Sequence, residues 1–107
     1  MRKPTDKYIL DETGKPKSEP DAMKWARWYE NANRRVAETW VGTFCVSTVF
    51  LGLNYSWTGG PPILWESMVF DEKNKEVDCD RCSGSREQAE AMHALMVRKI
   101  ERQVKFK

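Results

Sequence analysis

Six side chains hold most of the reactive chemistry in this 107-residue chain: Cys45, Glu66, Cys79, Cys82, His93 and the loop tryptophan Trp57. Cys79-Asp80-Arg81-Cys82 is a lone CxxC. With Cys45 and His93 it offers three thiolates and one imidazole, the donor set of tetrahedral zinc. Structural zinc usually takes two closely spaced ligand pairs, and here Cys45 and His93 are single and distant, so the spacing argues against the site. A redox pair gains its low thiol pKa from a helix N-terminus, whereas Cys82 precedes the nearest helix start by three residues. The simplest reading is three reduced thiols acting as small side chains, with no cofactor.

Glu66 sits within an apolar run, where burial could raise its pKa and make it an acid or base; an arginine partner or a solvent-facing position is the plainer expectation. His93, the single histidine, falls on an apolar helical stripe and reads as a core-edge residue. Ser47, Ser56 and Ser67 lack a nucleophile-elbow context. Gly59-Gly60-Pro61-Pro62 is not followed by Lys-Ser/Thr and leads into a strand, so it is no phosphate loop. Tyr55 and Trp57, beside Asn, Ser, Thr and Gly, make a rigid aromatic contact surface at a loop tip. They could also stack a nucleobase, with Arg34, Arg35 or Lys73 supplying charge.

These residues must be placed by a single domain, large enough for one core without staples. Five Trp, four Phe and three Tyr make that core aromatic, and a net charge of +2 points to no particular partner. A nucleic-acid protein more often shows a strongly basic field. The N-terminus has a three-residue apolar stub where a secretory signal needs a longer run. No stretch approaches the length of a membrane span, and an odd cysteine count suits a reducing compartment. The expectation is a soluble cytoplasmic protein.

The chain reads β-α-β-β-β-β-α. Lys7 to Leu10 is a short strand closed by Asp11-Glu12-Thr13-Gly14, and two prolines between Lys15 and Pro20 carry the chain to an N-cap at Asp21. Ala22, Trp25, Trp28, Tyr29, Ala32 and Val36 recur at helical spacing and put the tryptophan pair in the core. Val36 to Val41, Phe44 to Leu53, Ile63 to Phe70 and Glu76 to Cys82 read as strands. Gly42-Thr43 has the chemistry of a type II′ hairpin. Ser85 with Gln88 is a capping box, opening a helix whose stripe holds Ala89, Met92, His93, Met96, Ile100 and Gln103. The sum is an α+β fold, an antiparallel meander of four to five strands with two helices on one face.

Two helices cover one side of that sheet, yet the central strands carry large apolar groups on both alternations, Ile63, Trp65 and Val69 on one and Leu64, Met68 and Phe70 on the other. A half-solvated antiparallel sheet alternates more cleanly. Either loops fold over the second face or another protein surface covers it.

The stretch VSTVFLGLNYSWTGGPPILWESMVF (46–70), with YILDETGKP and KWARWYENANRRVA upstream and REQAEAMHALMV downstream, resembles a family of small phage and prophage proteins whose central motif runs from VSTVFLGL through a Gly-rich turn into GGPPLLFETMVF. The likeness spans residues 8 to 97. It implies provenance and transfers no activity. Tyr55 stands where many relatives have His, which argues against a metal or acid/base site at the tip, and Cys79 to Cys82 lie outside the family pattern. The leading expectation is therefore a non-enzymatic accessory protein of phage or prophage type. It would bind a host or phage protein through the tip and sheet face, using Tyr55, Trp57, Trp65, Arg34 and Arg35. An inhibitor of a host defence protein is one form of this, and a homodimer that closes the sheet is another. The alternatives are a nucleic-acid or nucleotide binder using Tyr55, Trp57 and nearby Arg, and a zinc- or thiol-dependent enzyme using Cys79, Cys82 and His93.

Overall fold

The computed structural model describes residues 6–56 and 58–105 and has the α+β architecture expected. Its centre is a four-stranded antiparallel meander, β3 (Arg35–Val41), β4 (Phe44–Phe50), β5 (Ile63–Phe70) and β6 (Glu76–Ser83), paired in chain order. A separate two-stranded sheet joins β1 (Tyr8–Leu10) to β2 (Pro16–Ser18). The helices are α1 (Ala22–Asn31) and α2 (Arg86–Lys105). No helix among the described residues is long and apolar enough to cross a membrane.

Local chemistry sets these boundaries. Asp21 accepts the backbone N–H of Met23 and Lys24 and so caps α1. Ser85 and Gln88 exchange side-chain and backbone hydrogen bonds at the start of α2, the reciprocal arrangement of a capping box. Gly42 turns from β3 to β4 at φ +60 while Thr43 keeps a negative φ, the pattern of a type II′ turn. Asp11 and Asp71 build two like turns: each carboxylate accepts two backbone N–H groups, two and four residues on. Gly14 and Asn74 then supply the positive φ that a three-residue hairpin loop needs.

Three boundaries differ from the expectation, the first being that β4 ends at Phe50 and not at Leu53. The Lys15–Pro20 stretch holds strand β2, because Pro16 stands at its first position, where a missing N–H costs no ladder bond. Helix α1 stops at Asn31, and Val36 belongs to β3. Asn33 accepts the N–H of Arg35, and the Arg34 carbonyl accepts the N–H of Phe50. The chain is therefore drawn into strand pairing before the helical spacing is used up.

Helix α2 lies along one face of the meander and touches all four strands. Ala89, Met92, His93, Met96 and Ile100 are its buried stripe; Gln103, expected there, is exposed. Val46, Thr48 and Phe50 of β4 and Trp65, Ser67 and Val69 of β5 face it. Helix α1 packs on β1 and reaches the same side of the sheet through Trp28, whose ring meets Phe50 edge-on at 5.8 Å. Trp25 donates its indole N–H to the carbonyls of Tyr8 and Gly52 and ties α1 to both sheets.

Candidate functional site: the open face of the sheet

Side chains alternate across a strand, so the register fixes what the second face presents. Three rows cross it: Trp40, Cys45, Phe70 and Glu76; then Glu38, Ser47, Met68 and Cys79; then Arg35, Val49, Glu66 and Arg81. Among the described residues no helix or strand packs on this face. The 54–62 loop reaches its corner, where the Arg81 guanidinium lies 5.2 Å from the centre of the Tyr55 ring. Asn54 holds the base of that loop by accepting the N–H of Ser56 and of Ile63.

The face is apolar in its middle and ionic at its margins. Trp40 is 64% exposed, a large ring for an uncovered position. Val49, Met68 and Phe70 are half-buried. Four of the face's five charges are paired within the chain: Arg35 reaches Glu38 at 3.1 Å, and Arg81 Nε donates to Glu66 Oε2 at 2.7 Å; Glu76, in the row of Trp40, is the fifth. The Glu66 carboxylate also accepts from the Cys79 thiol at 3.6 Å. Glu66 thus meets the arginine partner expected of it.

The cysteines are placed against reactivity. Burial, and then the Glu66 charge, push the Cys79 thiol up to about 11. Burial and Glu38 raise Cys45, and burial and Asp80 raise Cys82. Each is shifted toward the protonated thiol, whereas a nucleophilic sulfur must be a thiolate. Nor do the four zinc candidates converge. Cys79 and Cys82 are three residues apart on a strand, which sends them to opposite faces. Cys45 shares the open face with Cys79 from two strands away, and His93 lies on the helix side.

His93 is a bolt between α2 and three strands. Its Nε2 is hydrogen-bonded to Thr39 Oγ1 at 2.8 Å and its Nδ1 to Thr48 Oγ1 at 2.7 Å, and Thr48 Oγ1 lies 2.5 Å from Ser67 Oγ. The two partners are hydroxyls of β3 and β4, with Ser67 of β5 joined through Thr48, and among the described residues no buried side-chain polar atom lacks a partner. Burial lowers the His93 pKa below its ordinary 6.5, so the unfolded chain binds a proton more readily than the native one. Stability from this histidine is full above pH ~6.5 and is lost as pH falls from there toward the lowered native value. Urea unfolding at a series of pH values should show the midpoint dropping across that window. His93→Gln should flatten the drop while lowering the midpoint at every pH.

The residues singled out in the sequence scatter. Tyr55 is at the corner of the open face, 42% exposed, and Arg35 is on its β3 margin. The Arg34 guanidinium is engaged within the chain: it stacks 3.9 Å over the Tyr29 ring and donates to the Phe50 carbonyl. Trp65 is not on the open face. It pairs with Phe50 on the helix side and is completely buried, its indole donating to the Gly84 carbonyl at 2.9 Å. Lys73 belongs to the β5–β6 turn, at the far end of the sheet from the tip. Trp57 lies outside the described residues. Missed by the sequence reading were Trp40, Glu38, Glu76 and Arg81. The alternation of Ala37, Thr39 and Val41 against Glu38 and Trp40 was the available signal. Compared with protein-family models, curated proteins and solved structures, the chain matches none.

Proposed function

We propose that this chain is a non-enzymatic protein-binding module, of phage or prophage type, that docks the open face of its sheet on another protein surface. The observation that carries the reading is Trp40: an indole two-thirds exposed on an uncovered sheet face where both arginines are already paired with glutamates. Aromatic anchors of this kind supply most of the energy at protein contacts. The paired arginines and glutamates resemble the polar rim that surrounds such anchors. Tyr55 adds a second ring at the corner.

A nucleic-acid reading draws less support. Glu38, Glu66 and Glu76 outnumber Arg35 and Arg81 on this face, and phosphate binding needs a net excess of cations. A thiol-enzyme reading is opposed by the raised pKa of all three cysteines.

The test compares tagged wild-type protein with Trp40→Glu in capture from bacterial lysate. Leu95→Glu, on the solvent side of α2 and equally exposed, is the control. A partner retained by wild type and Leu95→Glu but lost with Trp40→Glu is the expected result. Capture unaffected by Trp40→Glu, or lost equally with Leu95→Glu, overturns the assignment of the face.

A further inference from the structure

We infer that the occupant of the open face is a second copy of this chain, packed face to face about a two-fold axis that crosses the strands. This rests on the reading above and narrows it to one partner. The three rows have different characters. The row nearest the β3–β4 turn holds Trp40, Cys45, Phe70 and Glu76 and has no cation; the row at the other end holds both cations, Arg35 and Arg81, with Val49 and Glu66. The middle row, Glu38, Ser47, Met68 and Cys79, carries its one charge at the β3 edge.

A two-fold axis lying under the middle row and across the strands reverses strand direction and sets the first row of one copy over the last row of the other. Trp40 then covers the partner's Arg35, a cation on an indole face. Cys45 covers the partner's Val49. Phe70 lies against the partner's Glu66, which already has its own arginine, and Glu76 meets the partner's Arg81 with opposite charge. Ser47 and Met68 meet their own copies at the axis. Glu38 also faces its copy, at the rim, each one held by Arg35 of its own chain. The other in-plane axis, parallel to the strands, sets Arg35 over the partner's Arg81 and Trp40 over the partner's Glu76. Charge therefore selects the crossing axis.

The size fits a reversible dimer. Four strands about 4.8 Å apart and seven residues long at ~3.4 Å each outline a plane of about 450 Å² per copy. Two such planes, before side-chain relief is counted, come close to the ~1,000 Å² at which specific interfaces begin. Facing sheets of a sandwich pack in the same aligned manner.

The experiment is sedimentation velocity of the purified full chain over a concentration series, for wild type, Trp40→Glu, Glu76→Arg and Arg81→Glu, with circular dichroism confirming the fold of each. Wild type should pass from monomer to dimer as concentration rises. Each variant should weaken dimerisation roughly tenfold or more, because it places a charge on an indole's site or on a like charge. An equimolar mixture of Glu76→Arg and Arg81→Glu should recover the dimer, since each chain then carries the charge the other lacks. Should Arg81→Glu fail to fold without its bond to Glu66, Trp40→Glu and Glu76→Arg decide alone. A wild type monomeric throughout, or a dimer indifferent to both variants, overturns the inference. A monomer that still shows Trp40-dependent capture from lysate leaves the face as a docking surface for a different protein. A monomer without it removes both readings.

Discussion

Replacing Trp65 by alanine should lower the unfolding free energy by about 4 kcal/mol, the scale of a large aromatic removed from a packed core. The ring is completely buried and meets Phe50 at 5.0 Å and 62°, with Leu64, Ala89 and Met92 in the same cluster. It also fills the junction where β5, β6 and the start of α2 meet, through the bond to Gly84. Alanine leaves a cavity and strands that carbonyl, and for a domain whose whole stability is ~5–15 kcal/mol the variant should unfold at much lower urea. Trp65→Phe separates the two causes: it keeps most of the packing and loses only the hydrogen bond, a smaller penalty of about 1–2 kcal/mol. Measured at a concentration where the chain is monomeric, Trp40→Ala should stay within about 0.5 kcal/mol of wild type, because in the single chain most of its ring is in solvent. The pair of measurements distinguishes the core tryptophan from the contact tryptophan, which the sequence does not do.

Gly52→Ala should cost about 3 kcal/mol. Gly52 sits at φ +76, where a side chain costs ~1–2 kcal/mol, and a Cβ there would lie 3.1 Å from two carbons of the Tyr29 ring. That ring has little room to give, since Trp25 stacks beside it at 4.8 Å and the Arg34 guanidinium lies on it; crowding of this kind adds ~1–3 kcal/mol. The Gly52 carbonyl is also the acceptor for the Trp25 indole and the Tyr8 N–H. The damage should thus concentrate where α1, β1 and β2 join the meander. Hydrogen exchange should rise in α1 and β1 well before α2. Equal acceleration across the molecule would place the strain elsewhere.

Every strand of the meander was legible in the sequence: β3, β4 and β5 carry β-branched and aromatic residues closed by turns whose residue types are demanding, and β6, a polar edge strand, was legible from the Asp71–Lys75 turn before it. Asp21 as a cap, the Ser85–Gln88 box, the Gly42-Thr43 turn and the Ala89–Ile100 stripe were legible for the same reason: all are local, settled within four residues of chain. The end of α1 was not, since a strand pairing with Phe50, sixteen residues on, outcompeted helical spacing at Arg34.

The candidate site was legible only as a need. Apolar residues on both alternations of β5 announced a second face that wants cover, and the α+β class followed from element order. Which tryptophan serves that face could not be read, because Trp65 and Trp40 differ in register and not in type. The bulges at Ile63–Trp65, Val69–Phe70 and Arg35–Ala37 fall near strand ends; between them pairing is regular, which keeps Trp65 with Ser67 and Val69 on the helix side and Trp40 with Glu38 on the open side. The pairing of four strands therefore decided that Trp65 is core, that Arg34 is a brace, and that Cys79 and Cys82 point apart. Local chemistry wrote the elements; the long-range hydrogen-bond register chose which side chains meet the outside.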